Sequence, residues 1–373
     1  MQKKIKIFTI APPRVSGLDV LLPLIFQIAF EKGSLAEAKI LIKSADLYAS
    51  AMQIPEFKYI FERTKNEIFI SSSKKNKLIK YVQITYKLMV YASKFECLIL
   101  LHETDVSPIA RTWKKIGQIF NIKIVRYAKG LTPKIDHAFQ KKPARSTVSD
   151  LMLCFDKQHE NHAKNALGYR TLKIGHPHLF ASWKGLVADR VSQKRPIPPV
   201  HVQSIGVFTS SVVDHVYSEK ELFEWCESVF KCITTYNPRL LVVIKNHPMN
   251  TRRQIYEIER LANRYIDYFS FSMANACTVA MSCTTTISPI STVAIDAALF
   301  NSKVIIYQPI SEKWLNRHPS ESFLKPYHFP HVHSENDLLL WLSTSARTRN
   351  HLSQYLQDRF NPGHGLYERL KNT

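Results

Sequence analysis

Short apolar runs rich in β-branched residues recur along the chain, at residues 5–10, 38–42, 97–101, 122–127, 151–155, 204–208, 240–245 and 304–307. Each is bounded by polar or turn-forming residues, and each has the length of a strand rather than of a helix. Their near-continuous apolar character predicts strands covered on both faces, as in parallel sheets. A further short strand is predicted at 67–70. Between the strands lie longer stretches with helical spacing, at 20–32, 77–94, 107–120, 156–167, 218–236, 291–300, 335–342 and 351–360. Strand and helix alternate almost throughout, which predicts an α/β fold. The first strand, the loop Arg14-Val15-Ser16-Gly17-Leu18-Asp19 and the helix after it make a Rossmann-like opening, although the fingerprint G-x-G-x-x-G is absent.

At 373 residues the chain is long enough for two domains with separate cores. The proline-stiffened Arg195-Pro196-Ile197-Pro198-Pro199 marks the join. It places a linker at 179–202 between an N-terminal domain, 1–178, and a second domain, 203–345, with a C-terminal helical segment over 346–373. The formal net charge of +21 asks for an anionic partner: nucleic acid, a membrane surface or an anionic substrate. The cations are spread along the chain without a helix-turn-helix, zinc-finger or RNA-binding signature, which argues against a basic nucleic-acid-binding protein. No apolar run reaches the roughly 18 residues of a membrane-spanning helix. Met1-Gln2-Lys3-Lys4 and the apolar run after it mimic a signal peptide, but the run ends at Pro12-Pro13-Arg14 and reads as a first strand. The six cysteines show neither C-x-x-C nor zinc spacing and read as reduced thiols of a cytosolic protein. Over 74–94, Lys77, Lys80, Lys87 and Lys94 interleave with Tyr81, Tyr86 and Tyr91. This reads either as a solvated face above packed tyrosines or as a contact for an anionic membrane surface.

The most informative stretch runs from 239 to 309. The strand at 240–245 ends in Lys245-Asn246-His247-Pro248, so an ammonium and an imidazole sit past its carboxyl end, where open α/β sheets bind ligands. Past Pro289, Ser291-Thr292 opens the helix 291–300, with Ser288 or Ser291 as N-cap. A helix start offers N–H donors and a positive dipole end, and hydroxyls add to them; together they hold phosphate. Thr209 and Ser210 form a hydroxyl-rich loop after the strand at 204–208. Glu103 and Asp105 follow the strand at 97–101, where a carboxylate would take a proton from a hydroxyl; alternatively, Thr104 or Asp105 caps the next helix. Each element also has an ordinary structural use, His-Pro as turn punctuation and Ser-Thr as helix capping.

Lys245-x-His247-Pro248, followed by Ser288-x-x-Ser291-Thr292-Val293 and a helix of small residues, resembles the C-terminal half of GT-B glycosyltransferases. Among them are bacterial sialyl- and polysialyltransferases, Kdo transferases and CDP-glycerol transferases of surface-polysaccharide assembly. Ile174-Gly175-His176-Pro177 resembles the segment that ends their first domain. The resemblance covers roughly residues 150–310 in motifs and the earlier part in architecture. It implies a GT-B fold: α/β, two Rossmann-like domains with parallel sheets facing across a cleft, the last helix packing back on the first domain.

The resemblance further implies a glycosyltransferase that draws on a nucleotide-sugar. A CMP-activated acidic sugar such as sialic acid or Kdo is the favoured donor. The acceptor would be a glycan or lipid-linked molecule of capsule or lipopolysaccharide synthesis, reached at the inner face of the cytoplasmic membrane. Lys245, His247, Pro248, Ser288, Ser291, Thr292, Thr209 and Ser210 fall to the donor. His247 also falls to catalysis, with Glu103 or Asp105 as base, and Asp19, His102 and Asp214 as the next candidates. Arg14, Ser16 and Gly17 fall to the acceptor or sugar. Transfer would be inverting and metal-independent, with no D-x-D pair in the sequence and no cofactor beyond the nucleotide-sugar co-substrate. Where some of these families carry Glu or His before a glycine, this chain has Lys129. The alternatives are a CDP-glycerol-type phosphoalditol transferase and a nucleotide-sugar epimerase of the same fold, which would call for additional acids and a second-domain His-Arg set.

Overall fold

Every strand pairing among the described residues is parallel. The computed structural model describes residues 5–12, 15–33, 38–42, 44–68, 77–93, 97–102, 108–127, 149–165, 168–193, 203–212, 218–300, 302–309, 329–344, 349–363 and 365–372. The chain divides into two compact units, Met1–Gly185 with Arg359–Thr373, and Leu186–Asp358. Parallel pairing requires crossovers, and the helices between strands supply them.

In the first unit the strands are β1 (Ile5–Ile10), β2 (Ala38–Ile42), β3 (Lys65–Ile68), β4 (Cys97–His102), β5 (Ile122–Tyr127), β6 (Leu151–Cys154) and β7 (Thr171–Lys173). They lie in the order β3-β2-β1-β4-β5-β6-β7. The chain winds outward from β1 to β3 and then restarts on the other side at β4. The point of reversal lies between β1 and β4. The crossovers are α1 (Val15–Glu31), α2 (Ala45–Met52), α3 (Pro55–Phe61), α4 (Lys77–Ala92), α5 (Pro108–Phe120) and α6 (Lys157–Asn165). Phe8, Leu98, Leu100, Leu88, Trp113 and Ile124 form one apolar layer between the sheet and α4 and α5.

Helix α1 begins at Val15, not near residue 20, because its buried stripe already starts at Leu18 and continues through Leu21, Leu22 and Ile25. Ser16 and Gly17 therefore belong to its first turn and not to a loop. Pro23 interrupts the ladder of this helix by removing the N–H that would reach the carbonyl of Asp19. His178 supplies the missing donor: its Nε2 bonds the Asp19 carbonyl at 2.6 Å, and its ring stacks on Trp183. The segment expected as a linker starts with a helix, α7 (Ala181–Gln193).

The second unit has β8 (Ser204–Phe208), β9 (Leu241–Lys245), β10 (Phe269–Phe271), β11 (Thr285–Ser288), β12 (Lys303–Tyr307) and β13 (His331–Val332), in the order β10-β9-β8-β11-β12-β13. The point of reversal here lies between β8 and β11. Its helices are α8 (Glu219–Tyr236), α9 (Arg252–Tyr265), α10 (Ala276–Ser282), α11 (Val293–Leu299), α12 (Glu335–Ser343) and α13 (Arg349–Arg359). Strands β8 and β12 are buried throughout, but β9 alternates, with Val242 and Ile244 buried and its other residues half-covered. The expected two-faced burial fails at β9 because only the short strand β10 lies beyond it. Trp225 anchors α8 to the sheet, its Nε1 donating to the Tyr307 carbonyl at 2.8 Å.

Residues 359–373 return to the first unit. Arg359 pairs with the buried Asp156 at 2.9 Å and reaches Gln158 at 2.6 Å. The carboxylate of Glu31 accepts the N–H groups of Leu366 (3.1 Å) and Tyr367 (2.6 Å), capping α14 (Leu366–Asn372) at its start. Lys123 donates to the Leu370 carbonyl near its end. Cys154, Cys226, Cys232 and Cys283 are free thiols, and they and Cys277 are buried. Burial pushes the thiols of Cys154 and Cys232 up to about 12 and that of Cys283 up to about 11.

Candidate functional site

The second unit gathers several of the sequence-predicted residues along one sheet edge. Because its strands are parallel, the carboxyl ends of β9, β8 and β11 are neighbours, and the loops leaving them flank the point where the winding reverses. Lys245 closes β9, Thr209 and Ser210 follow β8, and Ser291 and Thr292 lie between β11 and α11.

After Lys245 the chain makes a β-turn over His247-Pro248-Met249-Asn250. Asn250 N–H donates to the His247 carbonyl at 2.9 Å, with proline at the position that favours its fixed φ. Thr251 and Gln254 then form a reciprocal capping box that starts α9. Within the turn, Met249 N–H donates to His247 Nδ1 at 3.2 Å. A main-chain N–H is always the donor, so Nδ1 is the acceptor, and the neutral ring carries its proton on Nε2. His247 is half-buried and presents an N–H donor rather than a basic lone pair at Nε2. The Nδ1 bond therefore suits the ring to contact an anion more than to remove a proton. Asn246 Oδ1 and Asn250 Oδ1 are buried here without a hydrogen-bond partner among the described residues. Buried groups of this kind are ordinarily completed by water or a ligand.

The other phosphate-binding expectation changes. Helix α11 has only seven residues and begins at Val293, so its dipole is short, and Asp296 places a carboxylate in its first turn. Its N-cap is Thr292, whose side chain makes no cap bond; Ser291 Oγ accepts from Val293 N–H at 3.4 Å. Ser288 is not the cap. It ends β11, is fully buried, and spends its hydroxyl on the Pro289 carbonyl at 2.6 Å. Ser291 and Thr292 are half-buried, Pro248 is exposed, and Ser210 Oγ turns back to the Ser211 carbonyl. What the start of α11 offers is hydroxyls rather than a dipole.

In the first unit, Arg14, Glu103 and Asp105 lie outside the described residues, as does Asp214 in the second. Gly17 is buried within α1; of the Ser16 side chain nothing is described. His102 ends β4, where its Nε2 lies 2.8 Å from Ser149 Oγ and its ring meets Trp113 edge-on, 4% exposed.

Helix α4 departs from the expected lysine–tyrosine face. Lys87 is ion-paired with Glu67, which also holds Lys39 at 2.8 Å. Burial, and then the charge of Lys39, holds Lys87 below the usual lysine range. Tyr91 packs against Phe8 and under Lys39. The side chains of Lys77, Lys80 and Tyr81, and all of Lys94, lie outside the described residues. Among the described side chains of α4, Tyr86 of the expected set is exposed, as are Val82 and Val90. Among the described residues, no helix is long and apolar enough to cross a membrane.

Two doubly wound parallel units, each with a point of reversal, define the class: two Rossmann-like domains of the GT-B type. No protein-family model matches the sequence, and no curated protein matches it. Solved structures do match in fold. UDP-GlcNAc 2-epimerase from Methanocaldococcus jannaschii is 12% identical, with TM-score 0.61 over 99% of this chain and 98% of its own. A putative UDP-N-acetylglucosamine 2-epimerase from Listeria monocytogenes is 11% identical, with TM-score 0.59 over 98% and 94%. The wall teichoic acid polymerase TagF is 13% identical, with TM-score 0.58 over 96% and 84%. These likenesses establish the fold. The chains compared are two UDP-GlcNAc 2-epimerases, one of them putative, and a wall teichoic acid polymerase, and no CMP-sugar enzyme is among these three.

The residue that the motif left out is Asn250. Its signal was nevertheless in the sequence: Pro248 at the second position of a turn, then Thr251-x-x-Gln254 as a capping box, places Asn250 as the fourth turn residue, facing back toward the strand end.

Proposed function

We propose that the chain is a glycosyltransferase that binds a nucleotide-sugar at the carboxyl edge of the second unit's sheet. The observation that carries this reading is the His247 turn at the carboxyl end of β9, where Nδ1 accepts a main-chain N–H, so that the ring proton sits on Nε2, two residues after Lys245. As the bond to the sugar breaks, negative charge grows on the leaving phosphate, and a fixed donor and a cation stabilise it. Ser291, Thr292 and Ser210 add hydroxyls. A carboxylate of the first unit, Glu103 or Asp105, takes the proton of the attacking hydroxyl, and Arg14, Ser16 and Gly17 belong to the acceptor side. The donor is a CMP-activated acidic sugar, which the surplus positive charge favours, and the product is a surface glycan. Thermal shift with CMP, CDP, UDP and GDP tests the base, since a bound nucleotide raises the melting temperature by mass action. No shift with any of the four would sink the reading.

A second reading has a specific observation behind it. Two of the three structures compared above are 2-epimerases, and they match over nearly the whole of both chains. Incubation with a nucleotide-sugar and no acceptor separates the two: an epimerase converts the sugar on the intact nucleotide, whereas a transferase releases nucleotide only when an acceptor is present. A CDP-glycerol donor is the third arm of the same assay.

The membrane part of the proposal rests on α4 and α5. Neither helix contains an acidic residue, and Val82, Tyr86 and Val90 stand exposed one turn apart. Docking through interfacial rings and basic residues predicts salt-sensitive binding to anionic vesicles. Equal binding to neutral vesicles would remove this element.

A further inference from the structure

One hydroxyl ties the His247 turn to the neighbouring strand. Thr209 stands one residue past β8 and is 6% exposed. Its N–H donates to the Lys245 carbonyl at 3.1 Å, one rung beyond the pairing of Phe208 with Lys245. Its Oγ1 accepts the main-chain N–H of His247 and the side-chain N–H of Asn250, each at 3.0 Å. A hydroxyl oxygen has two acceptor positions, and these bonds take both. The bonds from Met249 and Asn250 to His247 are local and move with the turn, whereas the Thr209 bonds reach it from another strand.

We infer that Thr209 is a positioning residue. With Asn250, it fixes where the His247 turn stands on the sheet edge and so keeps Met249 N–H on Nδ1 and the ring proton on Nε2. The consequence for binding rests on the donor-phosphate reading above; the consequence for the ring does not. Thr209→Val keeps the shape and removes the acceptor, leaving two N–H groups without their partner. The turn then loosens, and the imidazole gains access to its second tautomer. Misplacement of a binding group by about 1 Å costs up to about 100-fold in rate.

The test is nitrogen NMR of histidine-labelled protein, with the His247 signals assigned by their loss in His247→Gln. We expect a single Nε2–H tautomer in the wild type and in Thr209→Ser, and a tautomer mixture in Thr209→Val. Binding of the preferred nucleotide should weaken about 10-fold or more in Thr209→Val alone. Should Thr209→Val not fold, Asn250→Ala removes one of the two bonds and must shift the ring in the same direction by less. An unchanged tautomer in both variants, or Thr209→Ser behaving like Thr209→Val, overturns the inference. If the tautomer shifts as expected while the wild type binds none of the four nucleotides, the positioning role stands and the donor reading is what fails.

Discussion

Among the described residues the dipeptide His-Pro occurs once in each unit and makes the same turn both times; a third, His318-Pro319, lies outside them. At His176-Pro177, His178 N–H donates to His176 Nδ1 at 3.4 Å, and Leu179 N–H donates to the His176 carbonyl at 2.9 Å. At His247-Pro248, Met249 and Asn250 repeat both bonds at 3.2 and 2.9 Å. The surroundings of the two rings differ. His176 is 5% exposed, with Phe155, His178 and Phe360 packed at 5.4, 5.0 and 5.8 Å. His247 is half-buried at the carboxyl edge of its sheet. In these two cases the same turn and tautomer recur, and packing decides whether the imidazole is enclosed in a core or stands at a sheet edge. In the sequence the difference lies in the next residues: His178-Leu179-Phe180 continue into a core, whereas Met249-Asn250-Thr251 lead to a helix cap.

The harshest way to break this comparison is at the residue before the first turn. Gly175 has φ +76°, and an added Cβ would lie 2.3 Å from Pro362 Cα and 2.4 Å from the Phe360 carbonyl. Both obstacles are backbone, so neither can swing aside. Gly175→Ala should cost about 4 kcal/mol or more, from the left-handed conformation and the clash together. Denaturant unfolding would show it; a loss below about 1 kcal/mol would mean that the returning segment is not held as described.

Exchanging alanine into the two turns sharpens the contrast. His176→Ala should destabilise the protein by about 2–4 kcal/mol, through a cavity among three rings. His247→Ala should leave the melting temperature nearly unchanged and slow turnover about 100-fold. The reverse pattern, in calorimetry and in the nucleotide-release assay, would mean that the roles are assigned to the wrong histidines.

The smallest effect is electrostatic and concerns the strand that feeds the first turn. Glu160 accepts from Thr171 of β7 at 3.3 Å. Its carboxyl is held down at about 2, chiefly by the bond to Lys164, with burial opposing and Lys157 adding. A folded value below the unfolded one means that the stabilisation is fully present above about 4.5 and is lost as pH falls toward 2. Because both lysines are largely solvated, it amounts to only about 1–2 kcal/mol. Glu160→Gln should therefore be less stable than the wild type at pH 7, and the two should converge between pH 4.5 and 2. A constant gap over that range would assign the effect to packing.

How much of this was legible depended on whether the controlling contacts were local. Strands β1, β2, β5 and β8 stood out as apolar runs, and their observed bounds equal the predicted ones. Strand β11 did not, because it reads Thr-Thr-Ile-Ser; Thr286 is buried only because its hydroxyl pairs with Ser302 at 2.7 Å. Helix α14 falls inside the helical segment expected over 346–373, but its start and end were not legible, because its caps, Glu31 and Lys123, come from far along the chain. At the site, the Lys245-x-His247-Pro248 turn was visible as a pattern. The Thr209 hydroxyl was visible only as a member of a polar loop, since nothing local connects residue 209 to residue 247.

The segment that locks around Gly175 also sets a timetable. A ribosome delivers the first unit's strands before the second unit and residues 359–373 after it. At about 5–20 residues per second, the interval is on the order of 10–30 s. Throughout it, the face that receives Phe360 and Pro362 is uncovered, and Asp156 waits for Arg359. The second unit, one continuous stretch of chain, can be complete before the unit that was begun first.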